Sequence, residues 1–163
     1  MRRTVGITAG VAAAALLGFF ALSCGDSTAP TLKQYVANPT PALEQPPKTT
    51  TGTAVVTFVD EGTDIHWTMQ ITGVTNVTQS HIHLGSAAVA SGPVIINLFL
   101  PNQPPPTGTL NGIVAEGTIT NANNSSVSLD SLRVLFNNGN AYVNIHTVVN
   151  PGGEIRDQVH IVQ

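Results

Sequence analysis

Residues 52–163 of this 163-residue chain predict an all-β fold: an antiparallel, Greek-key-like β-sandwich of about seven or eight strands with one short helix. Three observations carry that prediction. From Gly52 onward, apolar and polar side chains alternate in short runs, the period-2 signature of strands with one face buried. The runs are broken by Gly, Asn and Pro, residues that supply turn geometry. A single stretch, Ser128–Phe136, has helical spacing instead. Composition narrows the function. Charged residues are 9% of the chain, against about 25% in an average domain. A net charge of −3 offers no basic field, so nucleic acid is not an expected partner. One cysteine excludes an internal disulfide framework and any multi-cysteine zinc or iron–sulfur site.

Thr53–Val59 reads as the first strand. In Asp64–Thr72, Ile65, Trp67, Met69 and Ile71 share one face, and His66, Thr68, Gln70 and Thr72 the other. Gln79–Leu84 sets His81 and His83 on one face, with Ile82 and Leu84 opposite. Pro93–Leu100 is almost continuously apolar, as for a strand covered on both faces. Pro104, Pro105 and Pro106 make Pro101–Leu110 a loop, because proline donates nothing to a ladder. Gly112–Thr120 is the next strand. Leu129, Leu132 and Phe136 then give the helix its apolar stripe, with Ser128 as N-cap and Asn137–Gly139 as the stop. Asn140–Thr147 and Glu154–Val162 close the sheets around a Pro151-Gly152-Gly153 turn.

The first 51 residues are of different material. Arg2 and Arg3 precede the uncharged run Val5–Leu22, and Cys24 follows it. A basic start, an apolar stretch and small residues near a cut site are the physical needs of a secretory signal. The arrangement resembles a bacterial lipoprotein signal, with residues 1–23 removed and Cys24 lipidated. Two other readings stay open: an ordinary signal peptide cut elsewhere, and a membrane-spanning helix, for which the run is barely long enough. With Gly25 after the cysteine, the lipoprotein resemblance implies an extracytoplasmic cell-envelope protein held by its lipid, at the outer membrane in a double-membraned bacterium. Residues 24–51 hold five prolines from Pro30 to Pro47 and few large apolar side chains, the composition of a flexible linker.

Two motifs carry a family resemblance. The first is Ser80-His81-Ile82-His83-Leu84-Gly85 followed by Ser91-Gly92-Pro93-Val94-Ile95-Ile96-Asn97-Leu98. The second runs from Gly139 through Asn144-Ile145-His146-Thr147 to Asn150-Pro151-Gly152-Gly153-Glu154-Ile155-Arg156. In order and spacing they resemble the CHRD (chordin-type) domain over about residues 52–161. Asp157 departs from the pattern, standing where that family usually has Gly. The resemblance implies an extracytoplasmic β-sandwich and no established activity.

The histidines are the residues able to carry chemistry. Alternate residues of a strand project from one face about 6.5–7 Å apart, which lets His81 and His83 reach one ion. His146 shares its strand face with Tyr142 and Asn144, so a neighbouring strand would complete a three-histidine set, with His66 or Glu154 as a fourth ligand. Imidazole sites without thiols suit copper or zinc, and affinity should fall below about pH 6.5 as free imidazole protonates. His-x-His followed by Gly-Pro also faintly resembles the metal site of copper/zinc superoxide dismutase. The disulfide cysteines and the bridging-histidine segment have no counterpart, so dismutase activity is not expected. The alternative reading needs no ion: His81, His83, His146, Tyr142, Asn144, Glu154 and Arg156 form an internally satisfied polar network.

Other chemistry is thinly represented. There is no nucleophile elbow, phosphate loop or Cys–His pair. Asp60, Glu61 and Asp64 read as a solvated hairpin in preference to a Ca²⁺ site, His66 by default as a solvated surface position, His160 as exposed, and Asn76-Val77-Thr78 and Asn124-Ser125-Ser126 as polar loops. Two function classes result: a non-catalytic, tethered module that binds a protein or polysaccharide or serves a structural role, and a copper- or zinc-binding domain.

Overall fold

The computed structural model describes residues 32–101, 105–124 and 126–162. Within them lie nine strands and one α-helix: β1 (Lys33–Ala37), β2 (Thr53–Asp60), β3 (Ile65–Thr75), β4 (Val77–Leu84), β5 (Val94–Phe99), β6 (Thr109–Ile119), α1 (Leu129–Asn137), β7 (Ala141–Thr147), β8 (Ile155–Gln158) and β9 (His160–Ile161). They form two antiparallel sheets, a five-stranded one in the order β6-β3-β2-β1-β9 and a four-stranded one in the order β5-β4-β7-β8. This is the sandwich that the alternating pattern predicts.

The inward face of β3 is the predicted one. Ile65, Met69 and Ile71 are fully buried and Trp67 nearly so, facing the Phe58 and Val56 row of β2 across a register that pairs Trp67 with Phe58. Ile82, Val143, Ile145 and Ile155 close the core from the other sheet. The chain passes from one sheet to the other between β3 and β4 at Asn76, whose positive φ of 55° asparagine tolerates better than most residues. Its side chain accepts a hydrogen bond from the Gly108 amide at 2.7 Å, so this polar loop is a built corner. Helix α1 is capped as predicted, the Ser128 hydroxyl accepting from the Ser131 amide, and it buries Leu129, Leu132 and Phe136. Arg133 then reaches back to Asp60 with two 2.8 Å bonds, which takes Asp60 out of the solvated acidic hairpin.

Three expectations change. The flexible linker expected over residues 24–51 is, from Lys33, part of the sandwich: β1 pairs with β2 from Lys33↔Asp60 to Ala37↔Val56, and Tyr35 and Ala37 are buried in the core. Pro39, Pro41, Pro46 and Pro47 stand outside the strand, so they do not break its ladder. Secondly, β5 is an edge strand with Val94 and Asn97 exposed, not a strand covered on both faces. Irregularities in the β4–β5 register turn both Ile95 and Ile96 inward and disguise the alternation. Thirdly, the expected last strand is two, because β8 belongs to one sheet and β9 to the other. Cys24 and the leader over 1–23 lie outside the described residues. Among those described, no helix is long and apolar enough to cross a membrane.

Candidate metal centre

β4 and β7 are neighbours, paired Gln79↔His146, His81↔Asn144 and His83↔Tyr142, and β8 continues the rows with Asn144↔Arg156 and Tyr142↔Gln158. Cross-strand partners share a face. His81, His83, Tyr142, Asn144, His146, Arg156 and Gln158 therefore stand together on the side of the sheet turned away from the core. Such a face is normally wet, yet every residue of β7 is buried. The cover comes partly from the segment after β1: Thr40 exchanges backbone hydrogen bonds with Arg156, and the buried Glu44 accepts from the Asn144 amide at 2.6 Å. The loop after β4 supplies the rest, its Ser86 and Ala90 carbonyls accepting from the Arg156 guanidinium.

His81, His83 and His146 are 6%, 8% and 6% exposed, and one ring nitrogen from each lies within 4.8 Å of the other two. The hydrogen bonds fix which nitrogen faces the cluster. His83 Nδ1 lies 2.8 Å from the Gly92 carbonyl and His146 Nδ1 2.9 Å from the Pro151 carbonyl. A carbonyl only accepts, so each Nδ1 carries the proton and each Nε2 presents a bare lone pair. Among the described residues, His83 Nε2 is buried without a hydrogen-bond partner. His146 Nε2 faces His81 Nδ1 at 3.2 Å. Two nitrogens on one tetrahedral zinc, each about 2.0–2.1 Å from the ion, stand about 3.3 Å apart, so this pair is already at ligand spacing.

The surroundings favour neutral rings. Burial, and then the neighbouring His146 and His83, push His81 down to about 4. Burial likewise lowers His83 and His146, outweighing the carbonyl bonds and the nearby Glu44 carboxylate that favour their protonated forms. Neutral imidazole is the metal-binding form. A second protein group braces the set: the Tyr142 ring stacks on His83 with centroids 4.9 Å apart and planes 4° from parallel, its hydroxyl accepts from the Gly92 amide, and Arg156 lies 3.6 Å from its centroid.

Neither expected fourth ligand joins the cluster. Glu154 is held by the Thr147 hydroxyl at 2.6 Å and by the Asn150 amide, closing the β7–β8 turn. His66 belongs to β3 in the other sheet, points outward, and meets Thr118, Glu61 and Asp64 there. The structural network expected from Tyr142, Asn144, Glu154 and Arg156 divides in the same way, because Glu154 serves the turn while the other three serve the buried layer. Sequence reasoning missed Glu44, Gly92 and Gln158. Glu44 was hidden in proline-rich sequence, Gly92 acts through its backbone, and Gln158 caps the Gly85, Gly139 and Ala141 carbonyls.

The fold and this layer define a class: an antiparallel β-sandwich with a buried histidine cluster on the outer face of its smaller sheet. The CHRD domain family model matches residues 35–159, and the chain belongs to that family. The match includes β1, in keeping with its place in the sheet. No curated protein and no solved structure matches the chain. Membership fits a binding or structural module.

Proposed function

We propose that this chain is a non-catalytic binding module of the bacterial cell envelope, tethered through lipidated Cys24, whose binding centre takes a single copper or zinc ion on His81, His83 and His146. One observation carries the metal reading: the bare, buried Nε2 of His83. An unsatisfied buried acceptor costs roughly 1–3 kcal/mol. Both His83 and His146 also donate their other ring proton to a backbone carbonyl, the outer-shell arrangement that orients imidazole toward a metal. The three rings supply nitrogen only, which suits copper and zinc, with copper(II) the tighter of the two in a given site. A purely hydrogen-bonded hub accounts for the His81–His146 contact but leaves His83 Nε2 unexplained.

Equilibrium dialysis of metal-stripped protein tests the reading. Uptake of about one Cu²⁺ or Zn²⁺ per chain, lost in His146→Ala, is the expected result; absent or multiple weak uptake equal in both proteins contradicts it. The tether is checked separately, since Cys24→Ser should move the chain into the soluble extracytoplasmic fraction.

A further inference from the structure

Beside the histidine layer lies a cleft of about 600 Å³ with Leu43, Pro46, Pro47, Ala87 and Ala90 among its walls. Glu44 and Arg156 line it as well. Their exposures are 4% and 2%, so each is a charge removed almost completely from water. Buried charges are ordinarily compensated by an opposite charge. Here no ion pair among the described residues includes either one. Among the described residues the Arg156 side chain stacks on the Tyr142 ring and donates to neutral acceptors at long range, 3.4 Å to Ala90, 3.2 Å to Ser86 and 3.4 Å to the Gln158 side chain. Among the described residues, Glu44 accepts from the Asn144 side chain and the Gln45 amide alone. Asp157, the other acid on the cleft, is engaged by the Asn38 amide at 2.8 Å.

One cleft thus holds a cation and an anion between apolar walls, neither with an oppositely charged partner among the described residues. A simple anion would meet Glu44, and a simple amine would meet Arg156. A zwitterion compensates both. We propose that the cleft binds a free α-amino acid with an apolar side chain, its carboxylate on Arg156, its ammonium on Glu44 and its side chain against the Leu43 and Pro46 wall. Its volume lies within the usual range for small-molecule sites, about 300–1,000 Å³. None of the three histidines lines the cleft, so amino-acid binding is independent of the metal centre.

Calorimetric titration of the full chain at pH 7 with L-leucine tests it, beside 4-methylpentanoate, which lacks the amine, and 3-methylbutylamine, which lacks the carboxylate. Saturable binding of L-leucine at one site, about tenfold or more tighter than either analogue, is expected from two charge-assisted contacts. Glu44→Gln should erase the preference for leucine over 4-methylpentanoate. Ala90→Leu, which fills the cleft without altering a charge, should abolish binding. The proposal is overturned if neither L-leucine nor L-phenylalanine binds saturably to the unmutated chain, or if 4-methylpentanoate binds as tightly as leucine. That comparison of ligands holds even if a variant fails to fold.

Discussion

His81 Nδ1 lies 3.2 Å from His146 Nε2, although 65 residues separate them along the chain. The contact exists because β4 and β7 pair in a register that sets Gln79, not His81, directly across from His146. The two histidines are therefore diagonal neighbours on one face, a separation that long side chains bridge. A shift of one residue would send His146 into the apolar core.

Acid should destabilise the metal-free protein in a defined window. His81 is lowered from an ordinary value of 6.5 to about 4 in the fold, so between those values the unfolded chain binds its proton more tightly. Stability is then intact above pH 6.5, falls as pH drops toward 4, and levels off below that as far as His81 is concerned. The full loss from this one residue is roughly 3 kcal/mol. Asp60, lowered chiefly by its Arg133 hydrogen bonds, is stabilising above its ordinary 3.8 and is lost only below that. Urea midpoints measured with a chelator from pH 7 to 4 check this: His81→Gln should flatten the slope, and an unchanged slope would remove the depressed histidine. Metal binding should accordingly persist to lower pH than the value near 6.5 expected from free imidazole.

Gly92 holds His83 through its carbonyl and Tyr142 through its amide. A β-carbon at this position would overlap the Leu84 carbonyl oxygen, a backbone atom that cannot move aside alone. Gly92→Ala should cost about 1–3 kcal/mol or more by overpacking and weaken metal uptake more than Gly152→Ala, whose β-carbon meets nothing within 4 Å among the described residues. Thermal melts of both variants, with and without Zn²⁺, measure the difference.

Trp67 tests the sandwich itself. Its ring packs on Gly117, where an added β-carbon would come within 3.0 Å of the indole, and it faces the core at 8% exposure. Trp67→Ala should lower unfolding free energy by ~3–5 kcal/mol through cavity formation. A loss below about 0.5 kcal/mol, the range of surface substitutions, would place the ring outside the core.

Much of this architecture was legible because a strand's period is two. The parity of Ile65, Trp67, Met69 and Ile71 named the core face of β3, and the parity of His81 and His83 put both rings on one side of β4. What parity could not give was strand order, on which the approach of His146 depends. Nor could it show that the outer face of the small sheet is covered. Two of the covering residues, Thr40 and Glu44, follow a five-residue strand amid prolines, where composition outweighs the short Tyr35 and Ala37 alternation. His66 was legible as a solvated surface residue opposite the apolar row of β3; only its optional place as a fourth ligand fails, because the two sheets turn their outer faces in opposite directions.

Electron paramagnetic resonance of the full chain loaded with one equivalent of Cu²⁺ counts the nitrogens that His81, His83 and His146 place on the ion. Three imidazole nitrogens bound to one ion should give nitrogen superhyperfine splitting from three equatorial donors, falling to two in His83→Gln while the fold, followed by circular dichroism, persists. A spectrum of hydrated or single-nitrogen copper, identical in the unmutated chain and in His83→Gln, would contradict a metal centre at these three histidines.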